Sequence, residues 1–134
     1  MIRVLIVDDH AMVREGLRQL LGGAAGITVV GFCSDGEQVV AMAATVHPDV
    51  VLMDIQMPVM SGLEATRQLL VRQPTIKVLM LSAADGRSVM AEAAMAGAMG
   101  FVSKDGDPAT LVPAIRAVAA GGDAWPVKLR STGD

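Results

Sequence analysis

This sequence of 134 residues has few aromatic residues, one cysteine and no long apolar segment. It has no tyrosine, and aromatic residues make up 2% of the chain, so aliphatic residues and 10 methionines must fill the core. Because Cys33 is the only cysteine, an internal disulfide and a cysteine-based zinc site are excluded, and a reducing compartment, the cytoplasm, is expected. The longest apolar stretch, residues 93–102, is too short to cross a bilayer, so no membrane partner is expected.

The chain also lacks an excess of basic residues. Its 11 Lys and Arg residues are outnumbered by 14 Asp and Glu residues, which gives a net charge of −3. A segment that grips the DNA phosphate backbone usually carries a basic excess, so any contact with DNA would need another domain. The length fits a single domain, and a hydrophobic content of 52% excludes disorder of the whole chain.

Short apolar runs rich in β-branched residues recur along the chain, and helical patterns separate them. The runs are near-continuous rather than alternating, which is typical of strands that are covered on both faces in a parallel sheet. They cover residues 2–7, 27–32, 50–53, 76–81 and 99–102. The order of elements predicts an α/β fold, a (βα)₅ doubly wound sheet of five parallel strands.

Several residues lie at the spacings that are typical of helix faces and helix starts. The first helix has one apolar stripe, which we expect to be buried, formed by Val13, Leu17, Leu20 and Leu21. Three pairs predict helix starts, namely Ser34 with Glu37, Ser61 with Glu64, and Asp107 with Pro108. Pro113 falls within the fifth helical pattern, where it predicts a kink or an early 3₁₀ turn.

Polar residues follow four of the five strands. Asp8 and Asp9 follow the first strand, Asp54 the third, Ser82 the fourth, and Lys104 lies two residues beyond the fifth. In a doubly wound sheet these positions share one edge. Close carboxylate pairs repel by about 4 kcal/mol at a surface-like dielectric, which predicts a cation among them. Carboxylate oxygens suit Mg²⁺, with Mn²⁺ as the alternative.

These residues match the chemistry of phosphoryl transfer. Asp54 is the candidate nucleophile, Asp8 and Asp9 are placed to hold the ion, and Lys104 offers a positive charge to a phosphoryl oxygen. Ser82 can donate a hydrogen bond to the same oxygens, although an ordinary turn role is an equal alternative. His10, which follows the acidic pair, offers a proton carrier or a ligand, but it is interpreted as an exposed residue of the first helical turn.

With these residues in place, the chain resembles the receiver domain of bacterial two-component response regulators over about residues 2–121. The resemblance rests on the acidic pair, on Asp54 with Met57, Pro58 and Gly62 after it, on Ser82, and on Lys104 after Phe101. The local sequence is most similar to the LuxR-type subfamily, also called NarL/FixJ-like, at residues 8–10, 14–17, 97–101 and 119–122. The family fold has the flavodoxin-like strand order 2-1-3-4-5.

The resemblance implies a role for each matched residue. Asp54 would accept a phosphoryl group from the phosphohistidine of a sensor histidine kinase. Asp8, Asp54 and the backbone carbonyl of Gln56 would ligate Mg²⁺, with Asp9 acting directly or through water. Ser82 and Phe101 would act as switch residues. Gln56 and Ala84 would tune the rate of dephosphorylation. A plain packing role for Phe101 is left open.

The same resemblance suggests a domain organisation and partners. Residues 1–122 would form the receiver domain, and residues 123–134 a linker or a frayed tail. We expect a homodimer on phosphorylation and control of transcription through a DNA-binding domain that this chain lacks. The alternatives are a stand-alone receiver acting by protein–protein interaction, a receiver that binds partners without phosphorylation, and a small aspartyl-phosphate phosphatase, which Gln56 disfavours because such enzymes place an acid there. A nucleotide carrier is disfavoured because no glycine-rich loop follows the first strand.

Overall fold

Five parallel strands form one sheet in the computed structural model, which describes residues 1–83 and 87–126. The strands are β1 (Ile2–Val7), β2 (Ile27–Cys33), β3 (Val50–Asp54), β4 (Lys77–Ser82) and β5 (Gly100–Ser103). They lie in the order β2-β1-β3-β4-β5, and every neighbouring pair is parallel. The predicted doubly wound fold and its strand order are therefore confirmed.

Five helices cover the two faces of the sheet within the described residues. They are α1 (Ala11–Gly22), α2 (Val39–Val46), α3 (Gly62–Arg72), α4 (Arg87–Ala96) and α5 (Leu111–Ala119), and 3₁₀ turns precede α2 and α5. Side chains of β1 alternate between two cores, with Leu5 and Val7 facing the helices α2, α3 and α4, and Val4 and Ile6 facing α1 and α5. None of the helices described here has the length and apolar character needed to span a bilayer.

The apolar stripe of α1 is only partly buried. Leu21 is fully buried, but Leu20 is 37% exposed, so the expectation for Leu20 is wrong. The physical reason is that α1 meets the start of α5 across an open groove. Val13, Leu17 and Leu20 line this groove, and Leu17 also packs against the core.

Two of the three predicted helix starts are confirmed. The hydroxyl of Ser61 accepts a hydrogen bond from the backbone N–H of Glu64 at 3.3 Å. The carboxylate of Asp107 accepts one from the backbone N–H of Ala109 at 2.9 Å. Each bond satisfies a donor that would otherwise lack a partner in the first helical turn.

The third start lies one residue later than predicted. Asp35, not Ser34, is the N-cap, because its carboxylate accepts hydrogen bonds from the backbone N–H groups of Glu37 and Gln38. Pro113 follows the 3₁₀ turn Pro108–Thr110 and lies in the first turn of α5, where a missing N–H costs little. The expected 3₁₀ turn is therefore present, but it precedes the proline.

The chain returns to the free edge of β5 after α5. The backbone N–H of Ala124 donates to the carbonyl of Met99 at 3.0 Å, and that of Phe101 donates to the carbonyl of Ala124 at 3.2 Å. Trp125 packs against the core, and a Cβ at Gly100 would lie 2.8 Å from the Ala124 carbonyl oxygen. Residues 123–126 thus lie along β5, while residues 127–134 of the expected tail fall outside the described residues.

Candidate functional site

The carboxyl ends of the central strands bring the polar residues to one edge of the sheet. Asp54 is the last residue of β3, Ser82 is the last of β4, and Asp8 and Lys104 directly follow β1 and β5. Because all the strands are parallel, these four positions face the same crevice. The structure brings Asp8, Asp54 and Lys104 into direct contact.

Two buried ion pairs form the centre of the site. The Nζ atom of Lys104 lies 2.6 Å from Oδ2 of Asp8 and 3.1 Å from Oδ2 of Asp54. The exposed fractions of these side chains are 0% for Asp8, 4% for Asp54 and 16% for Lys104. Charges this far from water interact strongly with one another, and each depends on its partner for compensation.

Burial and the ion pairs shift the pKa values of two groups. Burial raises the pKa of Asp54, the charge of Asp8 adds to the rise, and the contacts with Lys104 and the backbone N–H of Gln56 oppose it. Burial lowers the pKa of Lys104, but its contacts with Asp8 and Asp54 outweigh that effect, so the pKa is raised. Lys104 is therefore charged at neutral pH. Ionising Asp54 costs free energy, because its carboxylate is buried.

Backbone contacts fix Asp8 in the crevice. Its N–H donates to the carbonyl of Cys33 in β2 at 3.0 Å, and its carbonyl accepts a hydrogen bond from the Arg14 guanidinium at 2.6 Å. Its Oδ1 atom accepts from the backbone N–H of His10 at 2.8 Å. The carboxylate is thus held in one orientation, with Oδ2 turned toward Lys104.

The acidic residues fit a divalent cation. Asp8, Asp9, His10 and Asp54 each offer one ligand atom, and these atoms lie within 4.8 Å of one another. Oδ2 of Asp8 and Oδ1 of Asp9 are buried without a well-aligned hydrogen bond from the described residues; the Lys104 ammonium lies 2.6 Å from the first atom, and Nδ1 of His10 lies 3.1 Å from the second. Three carboxylates and one ammonium leave a formal charge of −2, which a divalent ion would neutralise. Oxygen donors are those that hard divalent cations prefer.

His10 belongs to this cluster, although the sequence favoured an exposed residue over a ligand at this position. Its side chain is 65% exposed, as expected, but Nδ1 lies 3.1 Å from Oδ1 of Asp9 and 3.3 Å from Oδ1 of Asp8. Its position directly after the acidic pair was the available signal. His10 is also the N-cap residue of α1, so its backbone is fixed beside the site.

The remaining predicted residues that the structure describes are Ser82, Phe101 and Gln56. Ser82 is buried, and its carbonyl accepts a hydrogen bond from the backbone N–H of Lys104 at 2.9 Å. Phe101 lies on the edge strand β5, and its side chain is buried in the core cluster that also contains Met90 and Ala93 of α4. Gln56 is exposed in the loop after β3, and Ala84 lies outside the described residues.

The loop after Asp54 has a shape that depends on two backbone positions. A Cβ at Gly62 would lie 2.0 Å from the carbonyl oxygen of Asp54, so only glycine fits there. Val59 has a φ of 69°, and Met60 N–H donates to the carbonyl of Pro58 at 2.7 Å around it. The loop thus includes a strained residue, because a β-branched side chain rarely adopts positive φ.

Comparisons with known proteins agree with this geometry. Residues 4–116 match the response regulator receiver domain family. The chain is 45% identical over 121 residues to the response regulator GacA of Pseudomonas viridiflava, and 41% identical over 121 residues to the transcriptional regulatory protein DegU of Brevibacillus brevis. Each alignment covers 90% of this chain, but 56% of GacA and 51% of DegU, so the chain spans about half the length of these relatives.

A solved structure agrees as well. The crystal structure of a LuxR-family two-component response regulator from Aurantimonas sp. SI85-9A1 is 36% identical and superposes with a TM-score of 0.91. The superposition covers 96% of this chain and 92% of that one. The resemblance inferred from the sequence is thereby confirmed: the chain belongs to the response regulator receiver domain family and is a receiver domain of the two-component type.

Proposed function

We propose that Asp54 accepts a phosphoryl group from the phosphohistidine of a sensor histidine kinase in a step that depends on Mg²⁺. One observation carries the proposal. The carboxylate of Asp54 is 4% exposed, ends the central strand of the sheet, and lies 3.1 Å from the Lys104 ammonium inside a cluster of three carboxylates. An anionic nucleophile beside a fixed cation and a cation site matches what phosphoryl transfer requires.

The transfer exchanges one bond to phosphorus for another. A carboxylate oxygen of Asp54 forms a bond to phosphorus while the bond to the histidine nitrogen of the kinase breaks, and the departing imidazole keeps the electron pair. Asp8, Asp9, Asp54 and the backbone carbonyl of Gln56 would hold Mg²⁺, or Mn²⁺ as the alternative. When bound, the ion neutralises charge on the carboxylates and the phosphoryl oxygens.

Lys104 and Ser82 would contact the phosphoryl group once it is on Asp54. The Lys104 ammonium, whose pKa is raised, donates to a phosphoryl oxygen and offsets its charge. Ser82 ends the neighbouring strand β4, from which its hydroxyl would donate to a second oxygen. Phosphorylation adds a charge of about −1.5 to −2, so Ser82 and Lys104 would be drawn toward Asp54, and Phe101 would repack with β5.

The proposed role is signalling rather than turnover. Gln56 offers only a neutral amide and Ala84 a methyl group, so neither is a base able to activate water strongly. The acyl phosphate would therefore persist long enough to alter the α4, β5 and α5 surface. We propose that this change drives homodimer formation and controls transcription through a DNA-binding domain elsewhere in the protein. Its kinase partner and its single buried thiol, Cys33, fit the cytoplasm.

Phosphorylation from a small donor tests the proposal. The domain is incubated with acetyl phosphate and Mg²⁺, and intact mass spectrometry counts the phosphoryl groups. We expect one group on the wild type and on Asp105→Asn, an exposed carboxylate next to Lys104, and none on Asp54→Asn. Labelling of Asp54→Asn, or no labelling of the wild type, would contradict the proposal.

A further inference from the structure

We propose that His10 is an additional ligand of the cation in this site and makes the site prefer divalent transition-metal ions to Mg²⁺. The inference rests on the proposed cation site and names a donor beyond the carboxylates and the carbonyl. Nδ1 of His10 lies 3.1 Å from Oδ1 of Asp9 and 3.3 Å from Oδ1 of Asp8.

These separations are those of hydrogen-bonded groups and equally those of donors that share one ion. Metal–donor bonds of roughly 2.1 Å that meet at right angles separate neighbouring donors by about 3 Å. The two contacts of Nδ1 are close to that value, and all four candidate ligand atoms of the cluster lie within 4.8 Å of one another. One ion could therefore contact the ring nitrogen and the carboxylates without a large rearrangement.

The backbone holds the ring at the entrance of the site. His10 is the N-cap residue of α1, and its N–H donates to Oδ1 of Asp8 at 2.8 Å. Its carbonyl accepts the first backbone hydrogen bond of the helix, from Arg14 at 3.1 Å. Because the backbone of the residue is tied on both sides, only the rotamer of the ring would have to be ordered on binding an ion, and the exposed ring leaves room for an entering hydrated ion.

The chemistry of imidazole gives the direction of the preference. A neutral imidazole nitrogen suits later first-row ions such as Co²⁺ and Zn²⁺, and Mn²⁺ accepts one beside oxygen donors, whereas Mg²⁺ prefers oxygen donors alone and keeps its waters. A ligand set of carboxylates alone would discriminate less between these ions. His10 would thus raise affinity for transition metals and leave the affinity for Mg²⁺ nearly unchanged.

The chain offers a matched control because it has only two histidines. His47 is exposed at the end of α2 with a φ of 49°, a conformation that asparagine tolerates. The domain and its His10→Asn and His47→Asn variants are loaded with Mn²⁺, and pulsed electron paramagnetic resonance records coupling to a histidine ¹⁴N nucleus. Calorimetric titration then gives the dissociation constants for Co²⁺ and Mg²⁺.

We expect ¹⁴N coupling in the wild type and in His47→Asn, and its loss in His10→Asn. The preference for Co²⁺ over Mg²⁺ should fall by about tenfold or more in His10→Asn alone. Two outcomes would overturn the role of His10: Co²⁺ and Mg²⁺ bind but the wild type shows no ¹⁴N coupling, or the coupling survives in His10→Asn. Either outcome would leave the phosphoacceptor proposal intact. If neither ion binds the wild type, the cation site itself is wrong, and both proposals fall.

Discussion

Replacing Lys104 by methionine removes the ammonium group that lies between the two buried carboxylates of the site. At an effective dielectric of 20, charges 2.6 and 3.1 Å apart attract by about 6 and 5 kcal/mol. The cost of burying the three groups offsets much of this attraction. Breaking a buried pair leaves an uncompensated charge, so we expect the variant to lose about 3 to 5 kcal/mol of unfolding free energy at pH 7.

Mg²⁺ should restore part of this loss. In the variant, Asp8 and Asp54 repel each other without a countercharge, and a bound divalent ion would supply one. The stabilisation by a ligand grows with its affinity for the folded state, so millimolar Mg²⁺ should stabilise Lys104→Met more than the wild type. Urea unfolding followed by circular dichroism, with EDTA and then with Mg²⁺, measures both effects.

Lys77→Met is the matched control, since Lys77 begins β4 at the opposite end of the sheet. We expect it to change the unfolding free energy by less than about 1 kcal/mol, with the same response to Mg²⁺ as the wild type. The reasoning is refuted if Lys104→Met is as stable as the control, or if Mg²⁺ stabilises the two variants equally.

Three further substitutions test other parts of the site. Asp54→Asn should stabilise the metal-free domain at pH 7, because burial raises the pKa of Asp54. The wild type gains stability as pH falls through that raised pKa, so thermal unfolding at several pH values should show the advantage of the amide shrinking in acid. Gly62→Ala places a Cβ 2.0 Å from the Asp54 carbonyl oxygen and should cost about 2 to 4 kcal/mol in urea unfolding, whereas Gly16→Ala, with open space around it, should not destabilise. Val59→Asn should gain about 0.5 to 1 kcal/mol in the same assay, because asparagine accepts the φ of 69° more readily and Val59 is 76% exposed; a loss would contradict the strain argument.

The sheet and the centre of the site could be predicted from sequence for one geometric reason. Parallel strands end at the same edge, so residues far apart in the chain, such as Asp8, Asp54 and Lys104, are brought together by strand order alone. No side-chain detail was needed to place them. Their carboxylates and ammonium then meet within hydrogen-bonding distance.

Features that depend on competition between neighbours were not predictable. Ser34 and Asp35 can both cap a helix, and only the folded backbone decides that Asp35 does so. Periodicity identified Leu20 as apolar but could not show that α5 leaves it beside an open groove. The ring of His10 joins the acidic cluster through its rotamer, which sequence spacing does not specify. Ala124 pairs through a single bridge, too short to leave a periodic signal.

The segment along β5 gives the domain a built-in optical probe. Trp125 is the only tryptophan, and the chain has no tyrosine, so its near-ultraviolet emission arises at one location. That location is the outer edge of the strand that leads to Lys104. A change of emission would therefore report movement of β5 directly, without any attached dye.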